Sequence, residues 1–419
     1  MSERSDFLVI GAGVSGLASA LCLLERGRSV RVVDAGRVGG GSSHGNCGTL
    51  TPSHAPPLHA PGMVGKALRW MLTPDAPFYV KPRFDPALWQ WMLRFAARCN
   101  ERDWTASARA RAAILNASRA AYPDWVARYA PDCEYAEPGT CCVFRDAGEL
   151  DACVRRLPPL RELGIDYEVI DGPTLLAQEP ALREGVAGAV VYPGDAQLRP
   201  DRYVTALARA VRALGGTVEE HCEVRAVERD GEGMRVATAQ GERHAREVLL
   251  ATGAWSPLLA KSLRLPWLRG AMQPGKGYSI TYSRPALAPK RPMTLHERKV
   301  CVTVWEDGFR LGSTMEFSGH DTALNRRRLD ALERGAAEYL REPVGPVKRE
   351  EWYGWRPLSW DDLPIIGRAP GHDRLWLATG HGMLGVSMSP ATGRLLAELV
   401  AGESPHIDPA PYSPARFAS

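Results

Sequence analysis

The chain has 419 residues, 45% hydrophobic and 24% charged, enough for a sizeable core in two or three domains at roughly 150 residues each. Its 52 basic and 48 acidic side chains leave a net +4, too balanced to argue for nucleic acid. These figures exclude a disordered chain, a collagen and a multi-span membrane protein. Only seven of the basic residues are lysines, which reads as genome bias. The 41 glycines and 33 prolines are many for a packed protein, so their positions should be informative.

Residues 6–10 read as a short buried strand, followed at once by Gly11-Ala-Gly13-Val-Ser-Gly16. Residues 17–26 carry a helical pattern that stops at Gly27, and residues 29–33 form a second strand ending in Asp34. This is a complete βαβ dinucleotide fingerprint. Gly11 allows the tight turn, Gly13 lets the backbone approach a pyrophosphate, and Gly16 lets the helix pack on the strand. Val14 and Ser15 begin the helix, whose free N–H groups and positive end suit phosphates. Asp34, with Ala35 after it, is placed for a ribose hydroxyl, which favours FAD or NAD over NADP. The glycines interrupting this apolar run argue against a signal peptide or membrane span.

A second glycine-rich loop, residues 39–48 (GGGSSHGNCG), follows soon after the acid. A nicotinamide enzyme does not need such a loop. A flavin enzyme does, because the chain must run close to the ribityl and ring system. Ser42, Ser43, His44, Asn46, Cys47 and Gly48 are therefore candidate flavin contacts.

Residues 86–130 carry Trp, Ala and Arg at helical spacing and read as helices of a substrate domain. The apolar stretch 63–95, with Lys66 and Arg69, is a candidate peripheral membrane surface. A helix is predicted from Arg199-Pro-Asp201 to Leu214, stopping at Gly215-Gly216. Residues 217–250 alternate as a β-meander that includes Val224, and residues 247–255 form a strand ending in Ala-Thr252-Gly253-Ala-Trp255. Strands are expected at 278–282, 300–305 and 309–313, and a charged helix at 323–340 is expected to return to the nucleotide domain. Residues 375–379 form a buried strand running into Gly380-His381-Gly382-Met-Leu384-Gly385 and a helix through Val400. That helix N-terminus is aimed to stabilise negative charge on a reduced flavin. Three spaced motifs that fit one FAD make FAD the expected cofactor.

The nine cysteines include no CxxC pair and no Cys/His set with zinc spacing. They read as reduced thiols, and no metal site is expected.

With these motifs in view, the chain resembles the FAD-dependent D-amino-acid oxidase superfamily. Within it the chain is most similar to the small-subunit group of bacterial D-amino-acid dehydrogenases, D-hydroxyproline dehydrogenase-like enzymes among them. The resemblance runs end to end. It rests on the fingerprint, the SSHGNCG loop, residues 51–62 with 66–70 after them, residues 276–281 (Lys276-Gly-Tyr278-Ser-Ile-Thr281), residues 354–367 with Arg356-Pro357 among them, and Thr379-Gly-His-Gly382. It implies a glutathione-reductase-like Rossmann domain interleaved with an antiparallel-sheet substrate domain, an α/β (α+β) fold. Expected boundaries are 1–82, 149–255 and 323–419 for the FAD-binding domain, and 83–148 and 256–322 for the substrate domain. In the family, the strand carrying Val224 passes the adenine end of the cofactor.

An amino-acid oxidoreductase must fix a carboxylate and hold Cα–H against the flavin, and the cofactor does the hard chemistry. A guanidinium fork is the natural carboxylate clamp. Arg356 lies among Trp352, Tyr353, Trp355 and Trp360, and in the resembling family the Arg of this Arg-Pro motif binds the carboxylate. Tyr278 is the second clamp candidate, weighed against a packed strand tyrosine. His381 is placed beside the flavin. Asp361 and Pro364 complete the motif as structural residues. His44 and Cys47 depart from the small residues usual in the family's loop, and covalent flavin attachment is weighed there against a changed pocket shape.

The implied activity is FAD-dependent oxidation of a D-amino acid to its imino acid, with electrons passed to a quinone or another non-oxygen acceptor. D-hydroxyproline or D-proline is the first substrate guess, then D-alanine-like acids. Rival readings are an oxygen-using oxidase of glycine or sarcosine type, an NAD-dependent dehydrogenase, and a flavin-binding subunit without turnover. The expected partners are a small-molecule substrate and an electron carrier, without nucleic acid. The expected location is cytoplasmic, with peripheral membrane contact possible.

Overall fold

The computed structural model describes residues 4–71 and 78–418. The part of the 63–95 stretch at 72–77 lies outside the described residues. Strands Ser5–Ile10 and Val30–Val33 pair in parallel, joined by helix Val14–Glu25, as the fingerprint predicts. Strand Gly241–Leu250 has two jobs. Its first half hairpins antiparallel with Gly233–Thr238. Its second half lies parallel between Ser5–Ile10 and Leu375–Thr379. The fingerprint strand and the two distant strands thus end side by side in one eight-stranded sheet. Ligands bind beyond the carboxyl ends of such parallel strands.

Leu8, Val9, Val32, Leu249 and Leu377 are fully buried, as expected for parallel strands covered on both faces. One face carries helices Val14–Glu25, Pro200–Ala213 and Gly385–Ala401. Gly393 lets the last of these press on the first: a Cβ there would stand 2.5 Å from the carbonyl oxygen of Ala18.

A nine-stranded mixed sheet forms the second layer. Lys348–Ser359, Met272–Ser283, Gly308–Phe317 and Val300–Val304 run antiparallel in that order. Beyond them come Met293–Leu295, Thr140–Phe144, Gly188–Tyr192 and Glu168–Asp171.

Several segments fall elsewhere than the sequence reading placed them. Strands Glu168–Asp171, Gly188–Tyr192 and Lys348–Ser359 join the nine-stranded sheet, although 149–255 and 323–419 were assigned to the FAD-binding domain. Helix Arg326–Ala337 does not return to that domain. Its Leu329, Leu332 and Ala336 pack with Ile280, Leu311 and Val302 on the outer face of the nine-stranded sheet. Helix Glu101–Tyr129, assigned to the substrate domain, packs on Gly385–Ala401, and its Tyr122 hydroxyl donates to the carbonyl of Val386. The physical reason is shared: amphipathic periodicity shows that a face is buried, not which partner buries it.

Two buried polar ties join the layers. Arg111 on helix Glu101–Tyr129 pairs with Asp362 at 2.6 Å, with both side chains 3% exposed. It also donates to the carbonyls of His54, Ala55 and Asp362. Asp195 accepts from the amide and hydroxyl of Ser53 and from the hydroxyl of Thr140. Burial nevertheless pushes the Asp195 carboxyl up from 3.8 to about 6.

A raised carboxyl pKa in the folded state favours folding with the proton on. The Asp195 contribution is therefore full below pH 3.8 and is lost as pH rises through about 6. About two pKa units at 1.36 kcal/mol each make about 3 kcal/mol. Asp195→Asn should remove that slope. Denaturation midpoints of wild type and variant, followed from pH 4 to 7, should converge or cross in the variant's favour as pH rises. Parallel curves would refute the assignment.

Candidate active site

The parallel strands deliver Gly11, Asp34, Thr252 and Gly380 to one edge. Gly11 has φ +111°, a conformation glycine favours, and a Cβ there would stand 2.5 Å from the Ala251 carbonyl oxygen. Helix Val14–Glu25 begins at Gly13 with no side-chain cap and no acid in its first turn. Its positive end is thus left for an anionic ligand. The Val14 amide donates to the hydroxyl of Ser43, tying the helix start to the second glycine loop. The Asp34 carboxylate accepts from the amides of Ala12 (2.7 Å) and Gly36 (2.8 Å). Burial raises its pKa.

From this edge a cavity of about 1120 Å³ opens between the two sheets. One wall is Gly11, Gly13, Val14, Ser15, Asp34 and Ala35, with Val224 beyond them. The loop Ser42, Ser43, Asn46, Cys47 and Gly48 forms another side. Asn46 folds this loop by donating to the carbonyls of Ser42 and Ser43 and accepting from the Gly48 amide. Thr252, Gly253 and Trp255 line it further on, as do His381, Gly382, Leu384 and Gly385. There helix Gly385–Ala401 begins, again without a side-chain cap. The wall also holds the Thr51 hydroxyl, buried with no partner among the described residues. A long glycine-walled cavity with two uncapped helix starts fits a dinucleotide with a ring system.

Three expected cofactor contacts are not on this wall. Gly16 sits at the helix–strand crossing, where a Cβ would stand 2.0 Å from the Gly11 carbonyl oxygen. Gly380 makes the turn after its strand at φ +74°. The His44 imidazole turns to Glu350 at 2.8 Å and holds that carboxyl below its usual range.

The nine-stranded sheet roofs the cavity. Across one row, Trp352, Ser279, Gly312, Cys301, Thr294 and Cys142 are successive register partners, and all line it. Arg356 joins them from Lys348–Ser359. Its guanidinium lies on Gly277, where a Cβ would stand 2.2 Å from Nη1 and 2.6 Å from Cζ. Nη1 donates to the carbonyl of Thr314 at 2.7 Å. Among the described residues no carboxylate pairs with Arg356, although burial disfavours its charge.

Tyr278 is not brought to this guanidinium. Side chains alternate along a strand. Gly277 meets Arg356 from one face, so its neighbour Tyr278 turns to the other. Its ring packs with Ile280 and Leu311, and its hydroxyl donates to Glu316 at 3.3 Å. The Tyr278 backbone reaches the wall, but the second clamp role is withdrawn. His381 is buried, with its ring nitrogens 3.4 Å from the Ser15 hydroxyl and 3.0 Å from that of Thr392. Burial lowers its pKa to about 4, so it is neutral near pH 7. It bridges the start of helix Val14–Glu25 to the middle of helix Gly385–Ala401 as a neutral hydrogen-bonding ring.

Sequence reasoning missed Gly277, Cys301 and Arg310. Arg310, 3% exposed, donates to the carbonyls of His44 and Asn46 and so holds the second glycine loop against the roof. Alternation along Lys276-Gly-Tyr-Ser was the available signal for Gly277. Nothing local marks Arg310 among 45 arginines. Asp361 is structural as expected, pairing with Arg416 at 2.7 Å.

A family model described as FAD dependent oxidoreductase matches residues 6–399. The chain belongs to that family. A D-amino acid dehydrogenase of Granulibacter bethesdensis is 31% identical, covering 98% of this chain and 99% of that protein. One from Chromohalobacter salexigens is 32% identical with the same coverage. Among solved structures, glycine oxidase from Geobacillus kaustophilus matches with a TM-score of 0.77 at 24% identity, covering 98% of each chain. L-proline dehydrogenase from P. horikoshii matches with a TM-score of 0.74 at 19% identity, covering 100% of this chain and 99% of that one. These two establish the shared fold: a Rossmann nucleotide layer and an antiparallel-rich roof. FAD is the cofactor of the family, and the fingerprint wall, the second loop and the two helix starts are the residues suited to hold it.

Gly277→Ala should push the Arg356 guanidinium off its seat while leaving the FAD wall intact. Loss of a charge-assisted hydrogen bond is worth about 1.5–3 kcal/mol, so KM for an amino-acid substrate should rise about 10- to 100-fold. The flavin content of the purified protein, read from its visible absorbance, should not change. An unchanged KM would contradict the seating.

Proposed function

We propose that the protein is an FAD-dependent D-amino-acid dehydrogenase. The observation that carries the reading is Arg356: a guanidinium on the cavity wall with no carboxylate partner among the described residues. Its planar fork suits the α-carboxylate of an amino acid. With the carboxylate held there, the amine and Cα lie under the roof and toward the cofactor wall. The end-to-end likeness to curated D-amino acid dehydrogenases supports the same reading. Bound FAD supplies the hydride acceptor.

The chain's own contribution is binding, orientation and exclusion of water. Arg356 fixes the carboxylate. Gly277 and Gly312 keep the roof low, since a Cβ at either would strike Arg356 or Cys47. His381, neutral and engaged by the hydroxyls of Ser15 and Thr392, ties helix Val14–Glu25 to helix Gly385–Ala401 and serves as neither acid nor base. Orientation of this kind accounts for much of the rate in such reactions.

Electrons leave to a non-oxygen acceptor, and a membrane quinone is the preferred class. Among the described residues no helix is long and apolar enough to cross a membrane. Exposed apolar side chains are nevertheless concentrated in one stretch. Leu68 and Met71 lie on Met63–Met71, with Phe84 beyond it and Trp89 and Leu93 on Pro86–Arg98. They support a peripheral seat on a lipid surface. The substrate is a small neutral D-amino acid, with cyclic D-proline-type imino acids tested beside D-alanine.

Anaerobic addition of single D- and L-amino acids to the holoprotein tests this directly. D-amino acids should bleach the flavin and L-amino acids should not. The reduced protein should then reoxidise much faster with a soluble quinone or dye than in air. Rapid release of peroxide in air would sink the dehydrogenase assignment, and failure of every D-amino acid to bleach would sink the substrate class.

A further inference from the structure

The cavity holds two thiols that substrate oxidation does not use. Cys47 closes the second glycine loop, and Cys301 lies on strand Val300–Val304 in the roof. The Cys47 Sγ rests on Gly312, where a Cβ would stand 2.6 Å from it. Cys301 is the direct cross-strand partner of Gly312. The Cys47 carbonyl also accepts from the hydroxyl of Thr303, two residues along the Cys301 strand. Loop and strand are therefore pinned together, with the Cys47 sulfur resting on the glycine that pairs with Cys301. Both residues line the cavity, and neither is in a disulfide.

The electrostatics separate their roles. The neighbouring Cys301 thiol lowers the Cys47 pKa. The nearby charges of Arg310 and Arg356 act in the same direction, against burial. The neighbouring Cys47 and burial drive Cys301 the other way. A thiolate-prone sulfur beside a protonated one is the arrangement of an attacking and a resolving cysteine.

We propose that Cys47 and Cys301 are a reversible oxidation site, closing to a disulfide that shuts the substrate cavity when the enzyme meets hydrogen peroxide. The Cys47 sulfur attacks one peroxide oxygen. An S–O bond forms, the O–O bond breaks and, after proton transfer, one water leaves. The Cys301 sulfur then attacks the Cys47 sulfenic acid. The S–S bond forms, the S–O bond breaks and a second water leaves. Two thiols are oxidised by two electrons, and one peroxide is reduced to two waters. The bridge fixes a sulfur pair beside the Arg356 guanidinium.

The test treats the holoenzyme with hydrogen peroxide, alkylates remaining thiols and maps peptides without reduction. A Cys47–Cys301 linked peptide is expected. Dehydrogenase activity should fall by about tenfold or more and return with dithiothreitol, as for a reversible rung of the cysteine oxidation ladder. In Cys301→Ser the link should vanish, and a 1,3-dione probe should trap a sulfenic acid on Cys47. Should that variant not fold, the wild-type map decides alone. Free, alkylated Cys47 and Cys301 after activity has fallen would overturn the proposal. So would a link between other cysteines, or a linked enzyme of undiminished activity.

Discussion

A guanidinium held on a cavity wall without a counter-charge is the constraint around which this molecule is organised. Removing a charge from water costs several kcal/mol unless a partner restores the interaction. Among the described residues Arg356 is given the carbonyl of Thr314 and a glycine surface to lie on. The remaining donors of its fork await an anion. The strand that carries it must therefore be fixed by everything around it. The Trp352 ring fills the space over Gly45 and Gly354, where a Cβ would stand 2.1 and 2.2 Å from ring atoms. Met272–Ser283 pairs with the Arg356 strand along nearly its whole length.

The same demand explains the buried acids after the Arg-Pro pair. Asp361 holds Arg416 near the chain's end, and Asp362 holds Arg111 from helix Glu101–Tyr129. Asp362 also accepts from the amide of Leu58. These pairs do not touch the cavity chemistry. They tie the turn after strand Lys348–Ser359 to the long helix and to the segment that follows the second glycine loop. Breaking one partner of such a buried pair typically costs 3–5 kcal/mol, far more than an exposed pair is worth.

The nucleotide half of this structure was legible because its physics is local. A strand, three glycines, a helix and an acid at fixed spacing admit few readings, and Gly11, Gly13 and Asp34 fell where expected. Arg356 was singled out through its aromatic neighbours, and it lies on the cavity wall. The long-range pairings were not. Helix Arg326–Ala337 and strands Glu168–Asp171 and Gly188–Tyr192 carry patterns that fit either layer, and only the assembled sheets decide between them. Tyr278 was misjudged for a simpler reason. Its strand was recognised, but alternation beside Gly277 sends its hydroxyl to the opposite face. His44 was misplaced because its partner, Glu350, lies 306 residues away.

Whether Arg356 reads the carboxylate is the point on which the account stands, and one comparison isolates it. kcat/KM is measured for D-alanine and for D-alaninamide, with wild type and with Arg356→Met, using a dye acceptor and confirming bound FAD. The account predicts that wild type favours the acid strongly. The variant should lose about 100-fold on the acid, the upper range of a charge-assisted bond, and change little on the amide. Equal losses on both substrates, or none on the acid, would contradict it.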